Sequence, residues 1–139
     1  MKNLKGRTAI VTGGASGIGR ACCVGLAREG VAVLVTDIDD AGARQTVALI
    51  ETEGGKAISA HHDVTDEDRW DAIMSLCETE LGTPSVMVNN AGIAIGGPIL
   101  EFSLADWQKQ MGNCSQAKRA YDVFKRINTG AARKAVDKA

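Results

Sequence analysis

The 139-residue sequence lacks the features that mark membrane proteins, secreted proteins and metal-binding proteins. No apolar run reaches the ~18 residues that span a bilayer, and the opening MKNLKGRTAIVTGG has neither the apolar stretch nor the cleavage site of a signal peptide. The four cysteines form no CxxC pair and no metal-ligand spacing, and His61 and His62 have no carboxylate or cysteine grouping around them. We therefore expect a cytoplasmic protein with no membrane contact and no metal, and we assign the histidines no role.

Charge is unevenly distributed along the chain. Residues 1–115 carry nine Lys/Arg against fifteen Asp/Glu, whereas residues 116–139 carry seven against two. A basic tail can contact phosphates, but this tail offers only Tyr121 and Phe124 for stacking on bases, so we do not expect a nucleic-acid partner. The composition changes near residue 112, which predicts two parts, residues 1–112 and a basic tail, residues 113–139.

Short apolar runs alternate with helical patterns along the first part. The predicted strands are Arg7–Thr12, Val31–Thr36, Lys56–His61 and Ser85–Asn89. The predicted helices are Gly17–Glu29, Asp40–Glu53, Thr65 to about Leu81, and one that begins at Ser103. The last two begin with patterns that resemble a helix capping box, Thr65-x-x-Asp68 and Ser103-x-x-Asp106. This alternation predicts an α/β fold, a Rossmann-type doubly wound parallel sheet of order 3-2-1-4. Because no further strand pattern follows, the sheet is predicted to stop at its fourth strand, before a helical or partly disordered tail.

A glycine-rich loop, TGGASGIG, joins the first strand to the first helix. Its glycines at 13, 17 and 19 allow a tight turn and close approach of a pyrophosphate, which the N–H groups of the helix N-terminus then face. Asp37 ends the second strand 18 residues after Gly19, the context that dinucleotide binding requires. A carboxylate there accepts hydrogen bonds from ribose hydroxyls and repels a 2′-phosphate, so NAD is favoured over NADP.

Together, TGGASGIG, Asp37, Asp63-Val64 and Asn89-Asn90-Ala91-Gly92 resemble the short-chain dehydrogenase/reductase family, from about Lys5 to Met111. The resemblance implies NAD-dependent hydride transfer between the nicotinamide and an alcohol or ketone. It also implies that Asp63 contacts the adenine amino group, that Val64 packs on the ring, and that Thr12 ties the glycine loop to the Asn89–Gly92 segment. The implied cofactor-binding residues are Thr12, Gly13, Ser16, Gly17, Ile18, Gly19, Asp37, Ile38, Asp63, Val64, Asn90, Ala91 and Gly92.

Members of that family work with a Ser, a Tyr and a Lys, helped by an Asn. Tyr121 and Lys125 have the family's Tyr-x-x-x-Lys spacing, and Ser115 and Asn113 are the candidates nearest to the other two positions. Ser115, however, lies only six residues before Tyr121, with no strand pattern between Trp107 and Tyr121, and Cys114 stands where the family has its Asn.

Two alternatives follow for this site. The four residues form a catalytic set, or Tyr121 and Lys125 are solvated residues on a helix and the chain is an NAD-binding fragment without turnover. Self-association is also expected, because a fourth strand without a neighbour would leave an apolar sheet edge exposed.

Overall fold

A computed structural model describes residues 4–123 and residue 125. Strands and helices alternate as the apolar pattern predicts, and each helix ends near a glycine or at a polar cap. The elements are β1 (Thr8–Thr12), α1 (Gly17–Arg28), β2 (Ala32–Asp37), α2 (Asp40–Thr52), β3 (Ala57–His61), α3 (Glu67–Glu80), β4 (Val86–Val88), a short 3-10 turn (Ile99–Glu101) and α4 (Leu104–Cys114). Residues 116–123 are also helical and are called the 116–123 helix below.

The four strands form one parallel sheet of order β3-β2-β1-β4. β1 lies inside the sheet, with Ile10 opposite Leu34 of β2 on one side and Met87 of β4 on the other. All five β1 residues are buried, because helices cover both faces of the sheet. The predicted Rossmann-type sheet and its strand order are confirmed.

Each face of the sheet has its own apolar core. On one face, α1 and α2 pack against β1 and β2, with Cys23, Ala27 and Ile50 buried between them. On the other face, Trp70, Ile73 and Met74 of α3 pack with Ile10 and Leu34. Both faces of the strands are therefore removed from water, which accounts for their continuous apolar runs.

The 116–123 helix belongs to the second core. Ala120 and Val123 are 1% and 6% exposed and pack in the same cluster as Trp70. With Gln116, which is also buried, they repeat at spacings of four and three residues and so lie on one helix face. The predicted boundary at residue 112 lies within α4, and two residues after it, Ala120 and Val123, pack in the second core. Residue 124 and residues 126–139, the remainder of the predicted tail, lie outside the described residues.

The start of α3 differs from the sequence prediction. The helix begins at Glu67, and its N-cap is Asp66, whose side chain accepts a hydrogen bond from the Asp68 N–H. Thr65 is not the cap, because its hydroxyl donates to Asp63 at 2.7 Å instead. At α4, by contrast, Ser103 caps the helix by accepting from the Asp106 N–H.

Across residues 4–123 and 125, no helix is long and apolar enough to cross a membrane. Over the same residues, no group of three or more His, Cys, Asp or Glu side chains is arranged to hold a metal ion.

Candidate cofactor-binding site

A cleft of about 660 Å³ lies at the carboxyl ends of the strands. This is the edge at which open parallel sheets bind ligands. The cleft is lined by Gly13, Ser16, Gly17, Ile18, Asp37, Ile38, Asp63, Val64, Asn90, Ala91 and Gly92, together with His62, Thr65, Ile93, Lys109 and Asn113. The first eleven are predicted cofactor residues. The other two predicted residues, Thr12 and Gly19, are buried just behind the wall.

The glycine loop has the geometry of an anion-binding turn. Gly13 and Gly17 have φ values of +66° and +50°, which side-chain-bearing residues rarely adopt. α1 begins at Gly17, and the side chain of its N-cap residue Ser16 makes no capping hydrogen bond. The backbone N–H groups of the first helical turn are therefore left uncapped by this side chain and can donate to a ligand. A Cβ placed on Gly17 would meet nothing within 4 Å, so the loop faces open space. These features fit a dinucleotide pyrophosphate.

Asp37 is held rigidly at the end of β2. One carboxylate oxygen accepts from the Ala15 N–H and the other from the Asp39 N–H, both at 3.0 Å. The side chain thus joins the glycine loop to the start of α2, and the carboxylate lines the cleft. The flanking Ile38 also lines the cleft and brings no positive charge.

Thr12 connects β1 to the segment after β4. Its hydroxyl oxygen accepts from the backbone N–H groups of Asn90 and Ala91, both at 3.0 Å, and its proton goes to the side-chain oxygen of Gln116 at 2.8 Å. The Asn90 amide donates to the carbonyls of Thr12 and Gly13 at 3.1 Å. This network forms the floor of the cleft.

Gln116 is a member of that floor that the sequence analysis missed. Its side-chain oxygen accepts from Thr12, and its amide donates to the Ala91 carbonyl. It is 6% exposed and does not itself line the cleft, so the 116–123 helix supports the floor from behind, through Thr12 and Ala91. The signal that could have found it is its place four residues before Ala120 on the apolar face of that helix.

Asp63 and Val64 follow β3 at the other end of the cleft. Asp63 accepts from the backbone N–H and the hydroxyl of Thr65, and these hydrogen bonds lower the pKa of its carboxyl, so it is ionised at neutral pH. Val64 is 3% exposed, and its carbonyl accepts from the Trp70 indole and from Arg119. The ionised Asp63 carboxylate suits hydrogen bonds from the edge of an adenine ring. The Val64 side chain beside it suits apolar contact with the face of that ring.

His62 lines the same end of the cleft and was assigned no role from the sequence. It is 2% exposed, with its ring edge-on to Trp70 at a centroid distance of 4.5 Å. Burial lowers its pKa to about 4, with Arg69 acting in the same direction. No signal for it was present in the sequence beyond its place directly before Asp63, because its burial depends on the fold.

Acid should destabilise the protein through His62. The folded-state pKa of about 4 lies below the ordinary value of 6.5, so the neutral ring is favoured by folding. Its contribution is complete above pH 6.5 and is lost as the pH falls towards 4, in total roughly 3 kcal/mol. Asp63 and Asp66 oppose this shift, whereas Arg69 and His61 strengthen it.

The measurement is urea unfolding between pH 7.5 and 4.5 for the wild type and His62→Asn. Carboxylates with lowered pKa values also make the protein less stable as the pH falls. They are present in both proteins, so their contribution cancels when the two unfolding free energies are compared. The wild type should lose more stability than the variant over this range. Parallel pH curves would contradict the expectation.

The predicted catalytic residues are only partly brought to the cleft. Asn113 lines it, whereas Ser115, Tyr121 and Lys125 do not. The Ser115 hydroxyl donates to the Gly112 carbonyl at 2.9 Å, and Tyr121 is 63% exposed. The Lys125 ammonium lies 5.9 Å from the centre of the Tyr121 ring. Tyr121 lines a separate depression beside β4, with Met87 among its neighbours.

A parallel sheet with a glycine loop at its first strand-to-helix turn and a carboxylate ending its second strand defines a nucleotide-binding α/β domain. The family model described as short chain dehydrogenase matches residues 7–116. The chain belongs to the short-chain dehydrogenase family. The match runs to residue 116, past the point near residue 111 where the resemblance was predicted to end.

Relatives and solved structures agree with this assignment. Cyclopentanol dehydrogenase of Comamonas sp. is 37% identical over 109 residues, which are 78% of this chain and 44% of that protein. A short-chain dehydrogenase/reductase from Burkholderia phymatum, solved in complex with NAD, superposes with a TM-score of 0.86 at 29% identity, over 91% of this chain and 46% of that one. A blue fluorescent protein from a metagenomic library, in complex with NADPH, gives 0.81 at 30% identity, over 90% and 52%. The chain spans less than half the length of the curated relatives it matches.

Proposed function

We propose that this chain binds NAD(H) in the cleft and is the cofactor-binding part of a dehydrogenase that acts on an alcohol or ketone. The observation that carries the cofactor choice is Asp37, an acidic side chain fixed by two backbone N–H groups at the end of β2. When bound, the nicotinamide supplies a hydride acceptor or donor. A relative named cyclopentanol dehydrogenase supports the substrate class. We keep the cytoplasmic location as a prediction.

In this proposal each part of the cleft has one task. The glycine loop and the first turn of α1 bind the pyrophosphate through backbone N–H groups. Asp37 accepts from the ribose hydroxyls at the adenosine end. The ionised Asp63 accepts from the adenine amino group, and Val64 supports the ring. Thr12 and its hydrogen-bonded partners hold the floor on which the nicotinamide end would rest.

NAD should bind at least tenfold more tightly than NADP. A 2′-phosphate beside Asp37 adds charge repulsion on the order of 1–4 kcal/mol at contact distance. Titration of the chain with each dinucleotide by calorimetry or fluorescence gives the ratio. The double variant Asp37→Ala with Ile38→Arg should reverse the order.

Asp40→Asn is the matched control for that experiment. It removes one negative charge close by on α2, from a half-exposed side chain that pairs with His61 outside the cleft lining. It should leave the NAD preference within about twofold, because exposed charges are screened by salt. Tighter binding of NADP by the wild type would refute the cofactor assignment.

We also propose that the chain self-associates. β4 pairs with β1, and within residues 4–123 no strand covers its other edge. On α4, Leu104, Trp107 and Met111 are exposed by 71%, 53% and 45% and share one face. Exposed sheet edges and apolar helix faces are the usual starting points of association between copies.

Sedimentation velocity should therefore show a dimer or larger species whose fraction rises with concentration. Trp107→Glu should shift the equilibrium towards monomer by tenfold or more, since a charge replaces a large apolar side chain. Leu49→Glu, at a similarly exposed position on α2, should have little effect. A concentration-independent monomer would contradict the proposal.

A second candidate function is NAD binding without turnover. It is favoured by one observation: Ser115, Tyr121 and Lys125 are absent from the cleft lining within the described part of the chain.

A further inference from the structure

The side chain of Arg20, in α1, joins the glycine loop to α2. It is partly buried and does not line the cleft. Its Nη2 donates to the Ala15 carbonyl and reaches the Gly42 carbonyl at 3.4 Å and the Gln45 side-chain oxygen at 3.5 Å, while Nε donates to the Thr46 hydroxyl at 3.0 Å. All four acceptors are uncharged, and across residues 4–123 and 125 Arg20 makes no ion pair. The guanidinium therefore acts on the loop as a hydrogen-bond donor and not as half of an ion pair.

Thr46 fixes the direction of that side chain. It is fully buried, and its hydroxyl donates to the Gly14 carbonyl at 2.8 Å, which leaves its oxygen to accept from Arg20. The peptide group between Gly14 and Ala15 is then held at both ends, because the Ala15 N–H donates to Asp37 at 3.0 Å. Only the next peptide group of the loop relies on Arg20.

That group is the peptide between Ala15 and Ser16. No described peptide bond is cis, so the Ser16 N–H points opposite to the Ala15 carbonyl that Arg20 binds. The backbone N–H of Arg20 also donates to the Ser16 carbonyl at 3.1 Å, which holds the following peptide group in the same way. Ser16 is exposed and lines the cleft. The two contacts of Arg20 thus determine where the N–H groups of Ser16 and Gly17 point.

We propose that Arg20 is a positioning residue for the glycine loop. It holds the peptide between Ala15 and Ser16 so that the Ser16 N–H faces the pyrophosphate, and Thr46 orients the guanidinium for this task. The inference rests on the proposed function, since it concerns how the loop presents its donors to the dinucleotide. Without the guanidinium, this peptide group can rotate and turn the Ala15 carbonyl oxygen towards the phosphates, which repel it.

The test is a titration of NAD into the wild type, Arg20→Met and Arg20→Lys. Methionine keeps an unbranched side chain without a donor. Lysine keeps the charge but lacks the planar fork that reaches Ala15 and Thr46 together. Both variants should bind NAD about tenfold or more weakly than the wild type, the factor expected for one lost hydrogen bond to a charged group. Wild-type affinity in Arg20→Lys would show that charge and not geometry matters, and would overturn the proposal.

Arg44→Met is the matched control. It makes the same change at an exposed position on α2, outside the cleft lining, and should alter NAD affinity by less than about twofold, because exposed charges are screened by salt. Thr46→Val and Thr46→Ser form a second pair. Valine removes the hydroxyl that orients Arg20 and should weaken NAD binding, whereas serine keeps the hydroxyl and should restore most of the affinity. Equal weakening in both would overturn the orienting role of Thr46.

The preference for NAD over NADP separates this role from a general disruption of the loop. Asp37 is held by the N–H groups of Ala15 and Asp39, neither of which belongs to the peptide group that Arg20 binds through its side chain. Arg20→Met should therefore lose affinity for both dinucleotides and keep their ratio. Loss of the ratio together with the affinity would overturn the specific role of Arg20.

Amide NMR gives a readout independent of affinity. At saturating NAD, the Ser16 amide resonance should shift in the wild type and shift markedly less in Arg20→Met. An equal shift in the two proteins, or wild-type affinity in Arg20→Met, would overturn the role of Arg20 and leave the proposed function standing. Binding of neither dinucleotide by the wild type would overturn the proposed function itself.

Discussion

Gly19→Ala should abolish dinucleotide binding and lower the free energy of unfolding by about 3 kcal/mol or more. A Cβ at this position would lie 1.9 Å from the Gly13 carbonyl oxygen and 2.6 Å from the Asn90 amide nitrogen. The first of these atoms is backbone in the glycine loop and cannot turn aside. Overpacking of this kind typically costs 1–3 kcal/mol, and displacement of Asn90 adds the loss of its hydrogen bonds to Thr12 and Gly13.

Gly25→Ala is the matched control, since it makes the same change in the same helix. A Cβ on Gly25 meets nothing within 4 Å, so the variant should be as stable as the wild type or more stable by up to ~1 kcal/mol, and should bind NAD normally. Urea unfolding and NAD titration of the two variants give the comparison. If Gly19→Ala bound NAD as well as Gly25→Ala, the close approach of α1 to the glycine loop would not be needed for binding.

The 139-residue chain should show dehydrogenase turnover lower by on the order of 10⁴ or more than a complete site of this kind would give. Hydride transfer to nicotinamide requires a substrate carbon held close and aligned, with a proton acceptor within about 3 Å of the oxygen. The lining of the described cleft includes Asn113 and Lys109, while the hydroxyls of Ser115 and Tyr121 are outside it. From this arrangement of the described residues we expect both positioning and proton transfer to be lost.

The measurement is NADH formation with a panel of secondary alcohols, cyclopentanol included, at saturating NAD. Asn113→Ala, Tyr121→Phe and Lys125→Ala are run beside the wild type. We expect all four proteins to be equally inactive while still binding NAD. Robust turnover abolished by Tyr121→Phe and Lys125→Ala would show that these residues act in catalysis and that the cleft in solution includes them.

The fold was predictable because its signals are local. β1 and β2 are short continuous apolar runs, and a glycine follows each of the first two helices, so element type and order could be read without knowledge of tertiary contacts. Parallel strands joined by helices then permit few arrangements, which fixes the order β3-β2-β1-β4. The glycine loop and Asp37 were found for the same reason, since each is defined by its place at a strand end.

Contacts between residues far apart in sequence were not predictable. Gln116 is hydrogen-bonded to Thr12, which is 104 residues away in sequence. The many Lys and Arg residues of the segment after residue 115 made its apolar helix face hard to recognise from the sequence. His62 was set aside because a histidine without ligand neighbours has no local signature. Its unpaired Nε2 depends on Thr36 of the adjacent strand and on burial beneath Trp70.

The strand order also affects how the chain folds as it leaves the ribosome. β1 is synthesised first but lies inside the sheet, and its two partners arrive at different times. β2 begins at Ala32, whereas β4 begins only at Val86. During that interval the backbone of β1 on its β4 side has no strand to pair with. The glycine loop and Asp37 belong to the earlier part, so the proposed adenosine end of the cleft can form on the nascent chain before the residues that complete its floor are synthesised.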